Sequence, residues 1–366
     1  MANLFGKNYS KAELLQRVGE MSQIGGVRPI ELVNGSERGV RALKFNTGSG
    51  LEFLVVADRA LDIAAARYRD IPLDWLSPTG LVAPAFYDSL DLGWLWSMGG
   101  GLLVTCGLTH AGPPELDGDE ELGLHGRIAN SAGRNVAFGT DWDGDDYMIW
   151  ASGEVRESRL FGPNLVLKRM ITCRLGESKI WLKDVVENCG FEPSPLMVLY
   201  HCNIGFPLVN SGSELLAVVN DVEPRDKAAA RGVDEFDRFS EPLPGYDEQV
   251  FFIDHDTDAQ GRVHVALANR QFANNQGLGI YLSYLKGELG QYTEWKMMGQ
   301  GAYVVGMEPG NCRPEGRTQA RRRGVLEMLP PGESRTFHLE IGVMADNHEI
   351  HAFENRFLGL DGEMQS

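Results

Sequence analysis

Cysteine is sparse and shows no pairing pattern. Five occur in 366 residues, Cys106, Cys173, Cys189, Cys202 and Cys312, at long spacings and with no C-x-x-C. That excludes a disulfide framework and a zinc knuckle, and it reads as small buried thiols in a reducing compartment. Basic residues are scarce as well: 34 Lys and Arg stand against 51 Asp and Glu, for a formal net charge of −17. Phosphate recognition needs clustered cations, so a nucleic-acid partner is not expected, nor is an anionic membrane surface. A solvated acidic surface is the plain reading of the excess. No run approaches the ~20 apolar residues of a membrane helix. The first residues, "MANLFGKNYSKAELLQRVGEM", contain no apolar h-region, so no signal peptide is expected and the cytoplasm follows. G-x-S-x-G is absent, which removes one nucleophile elbow. Fixed-period repeats, low-complexity tracts and linkers are absent too, and the expectation is one domain over residues 1–366, with 1–25 as an N-terminal helical extension.

Alternating runs are what the chain does contain. "GLGIYLSYLKG" puts Leu278, Ile280, Leu282 and Tyr284 on one face, and "RTFHLEIGVM" does the same with Phe337, Leu339, Ile341 and Val343. "RVHVALANRQ" groups Val263, Val265 and Leu267, and "LVLKRMITCRLGESKIWLKDVVENCG" reads as two long strands about a Gly-Glu-Ser turn. The 44 glycines fall mostly between such runs. Helices are expected over 10–21, where Ser10 caps Leu14, Leu15 and Val18, and in the tail "NHEIHAFENRFLG". Many strands, few helices and many glycine turns predict an all-β, mainly antiparallel sandwich or barrel. Two segments break the alternation: an acidic loop at 111–121, and a polar stretch at 222–247 with room for one helical turn near "DKAAARG".

Three places pair an ionisable group with unusual backbone. In "GLHGR", His125 sits between Gly123 and Gly126; if extended, its ring shares a side with Arg127. Flanking glycines let backbone approach a ligand closely, which favours a site over a core histidine. In "LMVLYHCNIGFPLV", Leu199, His201 and Asn203 share one strand face, which is either a site or plain solvent, while Val198, Tyr200, Cys202 and Ile204 share the other. His201 and Cys202 therefore point oppositely, against a Cys–His dyad. In "AYVVGMEPGNCRP", Val304, Gly306 and Glu308 share a face, and Glu308 ends the strand before Pro309 and Gly310. Two histidines and a glutamate could supply a general acid, a general base and a polarising donor. They could also form a metal facial triad, although no H-x-H or H-x-x-x-H pair accompanies them. His348 and His351 on the tail helix read as exposed. Trp94 and Trp96, on one face of "DLGWLWSMGGG", and Trp295 are either core or a stacking surface for a sugar.

The ordered blocks "RALDIAAARYRDIPLDW", "GGGLLVTCGLTHAG", "LGLHGRIAN", "LYHCNIGFPL", "YDEQVFF" and "EWKMMGQGAYVVGMEPGN" resemble those of the aldose 1-epimerases (galactose mutarotases), closest to a bacterial subgroup of unassigned substrate. The resemblance runs from about residue 55 to about residue 315. It implies a β-supersandwich with a sugar in an open cleft, and no cofactor or metal. It also implies that Glu308 is the general base on the anomeric hydroxyl, that His201 is the general acid towards the ring oxygen, and that His125 helps to hold that region of the sugar. Arg127 stands where many relatives have a second glycine. Asp247 and Glu248 are the candidates for the family's substrate-binding aspartate, and Arg59, with Asp62 nearby, for its early substrate arginine. The expected partner is a small-molecule carbohydrate; the oligomeric state is left open. Arg59, Arg127 and Arg313 either grip an anionic group on that sugar or pair with nearby carboxylates such as Asp62. A carbohydrate-binding protein without catalysis and a metal-dependent sugar isomerase are the alternative functions.

Overall fold

A computed structural model describes residues 1–359. The alternating runs become the strands of two large antiparallel sheets. An eight-stranded sheet runs Arg134–Asp143, Asp146–Ser158, Asn164–Arg174, Lys179–Asn188, Ser334–Met344, Leu278–Leu285, Arg262–Asn269, Glu214–Ala217 in spatial order. A six-stranded sheet runs Val219–Pro224, Gln249–His255, Gln291–Met298, Tyr303–Gly310, Met197–Gly205, Val104–Leu108. A five-stranded sheet, Gly26–Glu31 to Ile71–Pro72, completes the framework. The expected strand pair about Gly-Glu-Ser forms, in register from Leu165 opposite Asn188 to Thr172 opposite Trp181. Its inward residues alternate with outward ones, as the period of two requires.

The two large sheets face one another across the main core, with Leu167, Ile171, Leu182, Tyr200, Cys202, Ile204 and Met307 among its members. One charged group lies inside this layer. Arg169 is fully buried and uses all five of its N–H donors. Nε and Nη2 donate to Asp184 at 2.9 and 2.7 Å, Nη1 to Asp62 at 2.6 Å and to the Ala60 carbonyl at 3.0 Å, and Nη2 also to Thr105 Oγ1 at 2.8 Å. From the opposite sheet, the Tyr200 hydroxyl donates to Asp184 at 2.7 Å.

Several local expectations change. The N-terminus begins with a hairpin, Ala2–Leu4 with Lys7–Tyr9, whose Ala2 and Leu4 join the main core. Ser10 does cap a helix, with Glu13 closing the capping box, but it spans only Lys11–Leu15. Leu14 alone is buried there, and Gly19 follows within about a turn, so little favours continuation. The acidic stretch 111–121 is no plain loop: Glu115–Asp117 pairs with Glu120–Leu122. Arg317 donates to Asp117 and Glu120 of that hairpin at 2.6 and 2.5 Å. Trp94 and Trp96 lie on a short 3-10 helix, Gly93–Trp96, not a strand; Trp94 is buried and Trp96 is 79% exposed. The helical turn near "DKAAARG" is Lys227–Ala230, capped by Asp226. The tail forms Asn347–Phe353 and a π-helical turn, with His348 exposed and His351 half-buried.

Candidate active site

The floor of the site is the outer face of the six-stranded sheet. All nine residues of Met197–Gly205 are buried, so the polar face of that strand is not a solvent face. Alternation sends Tyr200 and Cys202 into the core and His201 to the other side. The neighbouring strand Tyr303–Gly310 brings Glu308 beside it, and the next, Gln291–Met298, sets Thr293 opposite Glu308 and Trp295 opposite Gly306. His201 Nε2 lies 3.1 Å from Glu308 Oε1. The two are in contact without the alignment of a hydrogen bond, and among the described residues neither Glu308 Oε1 nor His201 Nδ1 has a hydrogen-bond partner. Gly306 makes this geometry available: a Cβ there would overlap Glu308 Oε1 and press on the Cβ of Trp295 at 3.0 Å.

His125 reaches the same place from a loop. It is not extended but left-handed, with φ 56°, a conformation uncommon for a non-glycine residue. Its N–H donates to the Gly112 carbonyl at 2.8 Å and its carbonyl accepts from Gly107 at 3.0 Å. The flanking glycines serve backbone packing: a Cβ at Gly123 would overlap the Ser89 carbonyl, and one at Gly126 the carbonyls of Gly107 and His110. The expectation that they admit a ligand is replaced by close approach of chain to chain. The ring packs 5.0 Å from Trp94 and 6.0 Å from His201, between ring centroids. On its other side His201 packs 5.4 Å from Trp295, which meets Trp75 edge-on at 6.1 Å.

These groups line a cavity of about 620 Å³. Burial raises the Glu308 carboxyl well above the ordinary carboxylate range, with Glu248 adding in the same direction. Burial lowers His201 to about 4, and lowers His125 to about 3 with help from the nearby His201 and His110. At neutral pH both imidazoles are neutral, and burial disfavours the ionised form of the Glu308 carboxyl. A carboxyl with its ionisation suppressed, in contact with a neutral imidazole, is a suitable start for moving protons to and from a bound hydroxyl.

Of the other expected site residues, Glu248 lines the cavity, accepting from Trp295 Nε1 at 3.0 Å and from Arg225 at 2.9 Å. Asp247, its neighbour, is exposed and accepts from Arg231 at 2.9 Å. Arg59 is buried elsewhere, donating to the carbonyls of Ala129, Val82 and Ser97 at 3.2, 3.0 and 2.7 Å. Asp62 is fixed by Thr105 and Arg169 between the sheets. Arg127 is exposed in a separate shallow depression with Glu121 and Arg159. Arg313 stacks 4.5 Å from Phe252 and donates to Glu223 at 2.7 Å. None of the three arginines proposed to grip an anion lines the cavity. The guanidinium that does, Arg225, lies in the polar segment 222–247; only its position in that interruption, beside Pro224, could have drawn attention to it. A larger depression, about 1380 Å³, opens beside the tail helix, where Glu340 accepts from Tyr281 and Trp181 and His264 Nε2 lies against Asp258.

The family model described as "Domain of unknown function (DUF4432)" matches residues 37–343. The chain belongs to the DUF4432 family. Among solved structures, a candidate aldose 1-epimerase from Klebsiella pneumoniae aligns with this DUF4432 protein at a TM-score of 0.85 and 24% identity, covering 92% of this chain and 88% of its own. A galactose mutarotase-like protein from Clostridium acetobutylicum aligns at 0.58 and 14%, covering 88% and 99%. A galactose 1-epimerase from Lactobacillus acidophilus aligns at 0.54 and 11%, covering 88% and 100%. No curated protein sequence matches. The DUF4432 chain therefore has the galactose mutarotase-like fold, the β-supersandwich that the resemblance implied.

Proposed function

We propose that the protein is a mutarotase, an isomerase that exchanges the anomers of an aldose or sugar derivative by opening and reclosing its ring. The observation that carries this reading is the contact between His201 Nε2 and Glu308 Oε1, 3.1 Å apart and buried at the floor of a cavity. Ring opening needs one proton removed from the anomeric hydroxyl and one delivered to the ring oxygen. A pair that shares one proton can do both. Transfer of the proton from Glu308 to His201 readies the pair; the Glu308 carboxylate then takes the hydroxyl proton as the C1–O1 double bond forms, and His201 protonates the ring oxygen as the C1–O5 bond breaks. The pair is left as a neutral carboxylic acid and a neutral imidazole, the state that burial favours for both. Rotation about C1–C2 and the reverse transfers then give the other anomer. We assign His125, whose ring packs against His201, to hold the sugar there, and Trp75 and Trp295, which line the cavity, to meet its C–H edges. No nucleophile and no cofactor enters this sequence of steps.

Anomer exchange followed by NMR tests the proposal. Glu308→Gln should slow exchange by roughly 10²–10⁴-fold while sugar binding persists. Binding by the wild type with no acceleration over buffer would instead favour a carbohydrate-binding protein of this fold.

A further inference from the structure

We infer that Asn203 is a positioning residue for His201: its amide oxygen holds the imidazole in the tautomer with the proton on Nδ1, which turns the Nε2 lone pair towards Glu308. The consequence for turnover rests on the mutarotase reading of the site; the tautomer itself does not. Asn203 lies two residues along the same strand and shares its outer face with His201. It is fully buried. Its Nδ2 donates to the carbonyls of Gly101 and His201, both at 3.0 Å. A carbonyl can only accept, so these two bonds fix which end of the amide is nitrogen. Oδ1 is the atom left over, and it is buried with no aligned hydrogen-bond partner among the described residues. Opposite Asn203 on the neighbouring strand is Gly306, which has no side chain to offer a donor.

His201 has the matching need. Its Nε2 lies 3.1 Å from Glu308 Oε1. Nδ1, the ring nitrogen nearer the chain, is buried and also has no aligned partner among the described residues. Burial is the stronger influence on the ring and disfavours its charged form; the Asn203 side chain acts against it, in the sense of an acceptor facing a ring N–H. Which nitrogen of a neutral imidazole carries the proton is set by the hydrogen bonds its two nitrogens make. With the proton on Nδ1, Asn203 Oδ1 gains a donor and Nε2 is free to accept from the Glu308 carboxyl. With the proton on Nε2, two lone pairs would oppose one another at Nδ1 and Oδ1, and Nε2 could not take up the Glu308 proton. The proposed mechanism needs that uptake, and the imidazolium it forms is again held by its Nδ1–H on Oδ1.

Nitrogen-15 NMR of protein labelled in histidine reads the tautomer directly, the His201 signals being identified by their loss in His201→Gln. The wild type should show a protonated Nδ1 and an unprotonated Nε2. Asn203→Leu removes both Nδ2 bonds and the acceptor; Asn203→Asp removes the Nδ2 bonds but keeps an oxygen beside the ring. The Leu variant should shift His201 towards the other tautomer and slow anomer exchange of D-glucose and D-galactose by about tenfold. The Asp variant should keep the wild-type tautomer, which a role in packing alone would not distinguish. A proton on Nε2 in the wild type overturns the inference whether or not either variant folds. The same shift in both folded variants, or in neither, overturns it too. Exchange rates report separately on the mutarotase reading: a wild type no faster than buffer counts against turnover of these sugars and leaves the tautomer result standing.

Discussion

Glu308 depends on a residue that has no side chain. Its carboxylate occupies the space a Cβ of Gly306 would need, two positions earlier on the same strand face. Gly306→Ala should therefore displace the carboxylate from His201 without disturbing the strand, which keeps both paired neighbours. Exchange should fall by about 10- to 100-fold, since a misplacement of about 1 Å costs that much in an aligned site, while the circular dichroism spectrum stays unchanged. The sequence made the type of residue legible at this scale but not its conformation. His125, His201 and Glu308 could be chosen from motif and spacing. The left-handed turn at His125 could not, because it is set by hydrogen bonds to Gly112 and Gly107, which lie on other parts of the chain.

At the scale of elements, strands were legible wherever one face is buried, because a period of two survives any tertiary arrangement. The segments around the cavity mouth were not. The hairpin at 115–122 has no apolar alternation and is held by ions: Arg317 reaches Asp117 and Glu120, Arg321 reaches Asp117, and Thr318 bonds Glu115. Its partner helix, Arg317–Arg322, lies far along the chain, so neither half announces the other. Arg317→Ala leaves two carboxylates facing one another with one cation fewer. Amide exchange across 115–122 should quicken markedly, measured by mass spectrometry, and the KM of any substrate should rise because Pro113 and Pro114, just before the hairpin, border the cavity. Glu248 and Arg225 are a further case. Their pairing joins the adjacent ends of two neighbouring strands, and residue type alone could not separate Glu248, which lines the cavity, from Asp247, which does not.

For the whole molecule, the layer between the two large sheets governs stability, and its charged centre is Arg169. Arg169→Met strands Asp62 and Asp184 in the core with unpaired carboxylates, and urea unfolding should report a loss of about 3–5 kcal/mol. Acid sensitivity follows from buried histidine. His255 is buried, neither of its ring nitrogens has a hydrogen-bond partner among the described residues, and burial lowers it to about 4. The unfolded chain takes up a proton on it near the ordinary value of about 6.5, the folded protein only near 4, so its contribution is intact above about 6.5 and is lost as pH falls towards 4. Its share of the slope is about 1.4 kcal/mol per pH unit. His255→Gln should flatten the wild-type dependence of stability on pH by that share between 6.5 and 4, measured by urea titration at each pH. The antiparallel, all-β character of the chain was readable from the sequence; the pairing order of the sheets was not, since it joins strands distant along the chain. The strands carrying His201 and Glu308 are paired neighbours, yet between them the chain builds three strands of the eight-stranded sheet and three more of the six-stranded one. The proton-sharing pair can exist only after that long excursion has closed, a slow step for a non-local topology. On the proposed mechanism, recovery of turnover is thus a stricter clock for refolding than recovery of secondary structure, and a nascent chain that has not yet reached Glu308 should be chemically silent however much of its sheet has formed.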